Sequence, residues 1–548
     1  MLSNIFIKNL LQMKKILTLL LFCLSFQFLN GQSFNGFALY NGQGSNTTYL
    51  IDENENIAHT WNMNTECNYA VQLKNNGNLV RGTKYNQNIL GGAAEGGRVQ
   101  EIDPLGNIVW DYIYSSSNHL SHHDLTLIGE NVLLTAWEVK SAAELTAAGY
   151  TGNIGSAGKW PTHFIELEPD GNGGANIVWE WHIWDHLCQD TDPNKPNYVN
   201  NISDHPERID INMIQGGGGP GGGGGDWFHV NGVDYNEDLD QIAFSSRFSS
   251  EIYIIDHSTT TLEATSSSGG NSGMGGDILY RWGNPSNYGM SGTQVIASEV
   301  HDVRWITDDG RPNGGFLQIF NNRGISNNQS TIDGIETPLD PATGYTYLRN
   351  PGQAFEPINY TTRYECLYSA PGQSASDRMS NGNIYVNASG GQGGAGVMYE
   401  VDSLGNIVWG PYQAGSQKGF RYECNYPGII ALQSYINTNT TSCFISWDCD
   451  GQGNCIDPGT GNGQYSSLSD CNNECISTSV VDHVNHIFVY PNPVNKYLNI
   501  NSEGLKEVYD IFGSKVISSD KNKIDIGHLS NGVYSLSIAE RHVKFIKR

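Results

Sequence analysis

Between residues 32 and 434 two strand-forming phrases recur along the chain. In Gln100-Glu101-Ile102-Asp103-Pro104-Leu105-Gly106-Asn107-Ile108-Val109-Trp110, strand residues run into a Gly/Asn turn and leave it as a second strand ending in tryptophan. Tyr399-Glu400-Val401-Asp402-Ser403-Leu404-Gly405-Asn406-Ile407-Val408-Trp409 repeats the phrase closely, and residues 50–61, 165–179 and 254–282 carry looser copies. Each predicts a β-hairpin. A second hairpin phrase, built on Asn-Gly-type turns, lies upstream at residues 71–80, 125–133 and 379–386. Two hairpins per repeat make a four-stranded sheet, and five or more such sheets close most economically around an axis as a β-propeller. Residues 303–333 begin a further repeat. The expected class is all-β.

Composition agrees: charged residues are 16% and the chain holds 65 glycines in 548 residues, a balance that favours strands and turns over helices. The formal charge of −26 argues against nucleic acid as a partner, because phosphate backbones require clustered Lys and Arg. Residues 1–31 read as an export signal, with Lys14 and Lys15 before an apolar run from Ile16 to Leu24 that is too short to span a bilayer. No later segment reads as a membrane span. An exported chain tends to pair its thiols. Cys449, Cys455, Cys471 and Cys475 crowd a polar stretch that two disulfides would hold, zinc being the rival reading, and residues 435–480 are expected to form this module with its linker. Cys67, Cys188, Cys366, Cys424 and Cys443 remain, so at least one thiol is expected to stay unpaired.

Residues 481–548 form a separate segment of short alternating strands. Tyr490-Pro491-Asn492-Pro493, Val508-Tyr509-Asp510-Ile511-Phe512-Gly513, Leu529-Ser530-Asn531-Gly532-Val533-Tyr534 and a basic end resemble the type A sorting domain of the type IX secretion system. That resemblance implies a small β-sandwich recognised by the secretion machinery, and a secreted or cell-surface protein.

Propellers bind ligands at a channel mouth lined by the first strand of each blade. Three first strands carry histidine in one column: His123 in His122-His123-Asp124-Leu125, His229 in Trp227-Phe228-His229-Val230, and His301 in Val300-His301-Asp302-Val303. One such histidine is ordinarily structural; three in register point to a site. Arg247 on the strand after His229 could reach the same funnel, and Ser389 is a candidate column-mate on the last blade. Imidazoles and a guanidinium without a clustered carboxylate pair suit an anionic substrate and disfavour glycoside hydrolysis. Three histidines can hold zinc, although Arg247 would repel the ion. A neutral imidazole is also a competent nucleophile.

Trp179-Glu180-Trp181-His182, Asp204-His205-Pro206-Glu207-Arg208-Ile209-Asp210, Leu239-Asp240-Gln241-Ile242-Ala243-Phe244-Ser245-Ser246-Arg247 and Ile254-Ile255-Asp256-His257-Ser258 resemble the bacterial arylsulfotransferase family over most of residues 32–434. The resemblance implies a six-bladed propeller that moves a sulfuryl group from a phenolic sulfate to a phenol without the nucleotide donor PAPS and without a cofactor. It implies that His301 forms a transient sulfohistidine while His123, His229, Asn231 and Arg247 surround the transferring group. Phenolic sulfates and phenols are the expected small partners, and a homodimer stays open. The glycine run at 216–225, interrupted by Pro220, departs from the pattern and reads as an insertion. A non-catalytic propeller that binds sulfated or phenolic ligands and a metal-dependent sulfatase remain the alternatives.

Overall fold

The computed structural model describes residues 33–548 except 43, 215–224, 292–293, 295–298, 327–328, 391–395, 438–440, 442, 444–446, 451–452, 457–463, 466, 476–488 and 539–540. The export-signal reading and nearly all of the glycine run fall outside the described residues. The chain divides into two compact units, residues 1–446 with 458–463, and residues 447–457 with 464–548.

The first unit is a succession of six four-stranded antiparallel sheets. Sheet 1 holds β1 (Gly36–Gly42), β2 (Thr47–Ile51) and β3 (Ile57–Asn62); sheet 2 holds β4 (Cys67–Leu73), β5 (Leu79–Lys84), β6 (Gly97–Ile102) and β7 (Ile108–Ile113). Sheet 3 holds β8 (His119–Ile128), β9 (Asn131–Glu138), β10 (Thr162–Pro169) and β11 (Ala175–His182), and is followed by a short parallel pair, β12 (Leu187–Cys188) and β13 (Ile209–Asp210). Sheet 4 holds β14 (Val230–Asn236), β15 (Gln241–Ser246), β16 (Glu251–Asp256) and β17 (Tyr280–Trp282). Sheet 5 holds β18 (His301–Trp305), β19 (Leu317–Ser326), β20 (Gln329–Ile335) and β21 (Thr362–Glu365). Sheet 6 holds β22 (Ala375–Arg378), β23 (Ile384–Ala388), β24 (Val397–Val401) and β25 (Ile407–Gln413). A last strand, β26 (Ser416–Glu423), returns to pair with β1 and completes sheet 1 as its fourth strand. The first strands touch in sequence: β4 meets β8, β8 meets β14, β14 meets β18, β18 meets β22, β22 meets β26, and β26 meets β4.

The repeated outer-hairpin phrase has a local cause. Asp103 Oδ1 accepts the backbone N–H of Leu105 at 2.9 Å and of Asn107 at 2.8 Å, while Gly106 takes φ +87°. Asp402 and Gly405 repeat this turn. In three copies the tryptophan closing the phrase staples one sheet to the next: Trp61 Nε1 donates to Asp103 O at 3.0 Å, Trp179 to Thr259 Oγ1 at 3.2 Å, and Trp409 to Glu53 O at 2.9 Å, whereas Trp110 donates to Glu101 Oε2 of its own sheet at 2.6 Å. Inner strands are buried almost throughout, as in β1, whereas outer strands such as β7 are mostly exposed or half-buried. Between the first strands, aspartates accept backbone N–H groups of the neighbouring strand. Asp124 takes Val233 at 3.1 Å, Asp234 takes Trp305 at 2.8 Å, and Asp302 takes Ser376 at 2.9 Å. Lys418 of β26 lies wholly buried among them, 2.8 Å from Asp124 Oδ2 and 3.2 Å from Asp302 Oδ1.

Cysteine pairing goes further than the sequence reading. Cys449–Cys475 and Cys455–Cys471 staple the Cys-rich stretch of the second unit, and Cys424–Cys443 forms a third bridge in the first. Cys67, Cys188 and Cys366 are buried free thiols. The second unit ends in a three-stranded and a four-stranded sheet that share a core of Leu498, Val508, Ile524, Leu536 and Phe545. Among the described residues no helix is long and apolar enough to cross a membrane.

Candidate active site

The three histidine-bearing first strands lose register at the same end. The shifts fall between Ser121 and Leu125 on β8, between Val230 and Gly232 on β14, and between His301 and Arg304 on β18. Such bulges re-aim side chains beside a site. Inside the shifts His123 takes φ +51° and Asp302 +52°, and just ahead of them His229 takes +54° and Glu299 +56°. Non-glycine residues in this region are strained by about 1–3 kcal/mol each and persist only where their surroundings hold them. His123 N donates to Ala94 O at 2.9 Å, and His229 N to Asp226 Oδ1 at 3.1 Å. His123 lies inside β8, His229 immediately precedes β14, and His301 opens β18.

The structure gathers these residues. The rings of His123 and His229 lie 4.6 Å apart, with Phe248 4.7 Å from His229 and Tyr69 6.2 Å from His123. His301 is fully buried, and its Nδ1 lies 2.7 Å from Asn322 Oδ1 and 2.8 Å from Glu299 O. Asn322 Nδ2 donates to Ala370 O at 3.0 Å and Gln373 O at 3.2 Å, which turns Oδ1 toward the imidazole. Both neighbours of Nδ1 therefore accept. The ring hydrogen sits on Nδ1, and Nε2 carries a lone pair with no protein partner. Arg247 follows β15, and its backbone N–H donates to His229 O at 3.1 Å. A Cβ built on Gly372 would stand 2.8 Å from Arg247 Nη1 and 3.9 Å from His301 Cε1, so guanidinium and nucleophile candidate flank one small space that glycine keeps open.

Asn231 is engaged elsewhere: Nδ2 donates to Val300 O at 2.9 Å and Oδ1 accepts from Ser245 Oγ at 2.7 Å, linking β14 to the residue before His301. Ser389 Oγ donates to Gly372 O at 2.7 Å and so buttresses that glycine.

Burial depresses His301 well below the ordinary imidazole range, and the charges of Arg247 and His229 push it further. Burial likewise holds His123 well below that range, with His229 and His122 adding to the effect; the adjoining His122 is pushed down to about 3. Both His123 and His301 are neutral at neutral pH. His122 and His123 share one hydrogen between their Nδ1 atoms at 2.7 Å.

Carboxylates are present where the sequence reading saw none. Asp226 receives His229 Nδ1–H and also accepts from Trp137 Nε1 at 3.2 Å. Burial alone would raise its carboxyl, but His229 outweighs burial and holds it below the ordinary range. Glu299 bridges two cations, 2.8 Å from Arg247 Nη2 and 3.0 Å from Arg323 Nη2. The available signal was local: each acid stands two or three residues before its histidine. Among the described residues, the group of His, Cys, Asp or Glu that brings three ligand atoms within 4.8 Å of one another is Cys455, Cys471 and Cys475, all of them in disulfides.

Residues 24–348, more than half of the chain, match the family model for arylsulfotransferase (ASST), and residues 488–548 match a secretion system C-terminal sorting domain. Comparison with curated proteins returned no match. Among solved structures, the chain is similar to a protein of unknown function from Bacteroides caccae at 11% identity and TM-score 0.37, covering 71% of this chain and 98% of that one. It is also similar to a putative 6-phosphogluconolactonase from Bacteroides uniformis (8%, TM-score 0.34, 70% and 83%). A third similar structure is the β-propeller domain of Cps50 from Myceliophteria thermophila (10%, TM-score 0.34, 69% and 83%).

Proposed function

The chain belongs to the arylsulfotransferase family, and from that premise we propose that it moves a sulfuryl group from a phenolic sulfate ester to a phenol through a sulfohistidine on His301, without PAPS. The observation that carries the proposal is the state of His301: a buried neutral imidazole with its hydrogen held on Nδ1, a bare Nε2, and Arg247 across the small space beside Gly372.

In the first half-reaction the Nε2 lone pair attacks sulfur in line. An S–N bond forms as the S–O(aryl) bond breaks, and the phenolate leaves with the bonding pair. Arg247 holds sulfuryl oxygens whose charge shifts in a loose transition state, as in phosphoryl transfer. His123 contributes as a neutral imidazole, and Asn231 holds β14 against Val300 so that the cluster keeps its spacing. In the second half-reaction the acceptor phenol yields its proton to His229, whose ring is oriented by Asp226, and the phenolate oxygen takes the sulfuryl group from Nε2.

The six sheets, ringed by touching first strands and closed by β26 on β1, fit a six-bladed propeller over residues 32–434. Residues 435–480 then form the disulfide module and linker, and 481–548 the tag for type IX export to the surface or medium, behind a cleaved signal at 1–31.

Initial velocities with 4-nitrophenyl sulfate and a phenol test the mechanism. Ping-pong transfer predicts parallel double-reciprocal lines, and His301→Asn should abolish turnover while the protein melts as a folded chain. Full activity in that variant removes His301 as nucleophile.

A further inference from the structure

Glu299 does two things at once. Its carbonyl holds the hydrogen of His301 Nδ1 at 2.8 Å, and its carboxylate spans Arg247 at 2.8 Å and Arg323 at 3.0 Å. The carboxylate is only 22% exposed and the Arg247 side chain 16% exposed, so their charges meet in partly desolvated surroundings. Two guanidiniums and one carboxylate sum to a single positive charge. The neighbouring His123 and His301 are neutral, and Asp226 lies behind His229, hydrogen-bonded to its Nδ1.

We propose that Glu299 sets the charge selectivity of the site: it competes with the donor for Arg247, and leaves just enough positive charge for a sulfate ester but not for a phosphate ester. This rests on the sulfotransferase reading of the same residues. A sulfate monoester carries one negative charge and a phosphate monoester, above its second ionisation near pH 6, carries two. The two groups have nearly the same shape, so shape alone cannot separate them. When a sulfate ester takes Arg247, Glu299 keeps Arg323, and the four charges sum to zero. A phosphate ester would leave a net negative charge in a part-buried pocket. The same exchange helps release the sulfated product, because the carboxylate returns to Arg247 as the product leaves.

The test is calorimetric binding of 4-nitrophenyl sulfate and 4-nitrophenyl phosphate at pH 8 to the full chain carrying His301→Asn, with and without Glu299→Gln. Removing one carboxylate partner from a part-exposed pair should tighten the sulfate ester about fivefold, and the doubly charged phosphate ester by about fivefold more than that. Arg323→Gln should act oppositely, weakening both esters and the phosphate more. An unchanged sulfate-to-phosphate ratio in both variants, or weaker sulfate binding in Glu299→Gln, overturns the proposal. The sulfuryl adduct on wild-type His301 is read separately. An adduct with unchanged selectivity refutes only the role of Glu299, whereas altered selectivity with no adduct refutes only the covalent mechanism.

Discussion

His301, beside Arg247, and His186 at the junction of sheets 3 and 4 are equally buried, yet they use their second ring nitrogen differently. His186 places Nδ1 2.8 Å from Asp277 Oδ1 and Nε2 2.8 Å from Ala264 O, so both ends are occupied. His257, in the same region, spans Asp240 at 2.7 Å and Glu166 at 3.0 Å. These carboxylate partners outweigh burial and lift His257 to about 9. In the histidine cluster, His301 and His123 each have one nitrogen bonded and Nε2 bare. The difference teaches that burial does not mark a functional histidine. The mark is a buried ring whose tautomer is fixed from behind while its front nitrogen has no protein partner and a cation stands nearby.

That contrast breaks most sharply at Asp226. Asp226→Asn should lower kcat at least about a hundredfold with poor acceptors, because His229 loses its orienting carboxylate, while melting temperature changes little. His186→Ala should do the reverse: about 2 kcal/mol of stability is lost as the Ala264 carbonyl is stranded and Asp277 keeps only Arg208, and kcat per folded molecule is unchanged. Denaturant melts and active-site titration separate the two. Asn322→Ala tests the tautomer lock with a smaller effect. Losing one hydrogen bond behind His301 should slow adduct formation about tenfold without altering donor KM.

The smallest expected effect is a flat profile. The folded-state values of His123 and His301 lie below the ordinary 6.5, so His301 keeps its lone pair as pH falls from 8 to 6. With 4-nitrophenyl sulfate, whose phenolate needs no proton to leave, kcat/KM should then vary by less than about twofold. Stability responds with the opposite sign. The unfolded chain takes up protons below 6.5 that folded His122, His123 and His301 exclude, so acidification destabilises. His257 contributes stability that is present below 6.5 and is lost as pH rises through about 9.

Much of the architecture was legible because it repeats. The five hairpins read from the Asp-Leu-Gly-Asn phrase and its looser copies are the outer strand pairs of sheets 1, 2, 3, 4 and 6. The outer pair of sheet 5 escaped, since β20 and β21 are separated by residues 336–361 and lack the closing tryptophan. The histidine column was visible because each member opens a similar apolar stretch. Its partners were not: Asn322 comes from the strand hydrogen-bonded to β18, Gly372 from the link between sheets 5 and 6, and Arg323 from inside the register shift on β19. Pairings of this kind depend on tertiary register, which local periodicity does not encode. The bridge between Cys424 and Cys443 was hidden for the same reason.

The covalent claim is best tested by intact-protein and peptide mass spectrometry after brief mixing with 4-nitrophenyl sulfate and no acceptor. A mass increase of one sulfuryl group on the peptide containing His301, discharged by added phenol and absent from His301→Asn, is the predicted result. Turnover without any adduct on that peptide, or an adduct that persists in His301→Asn, would contradict it.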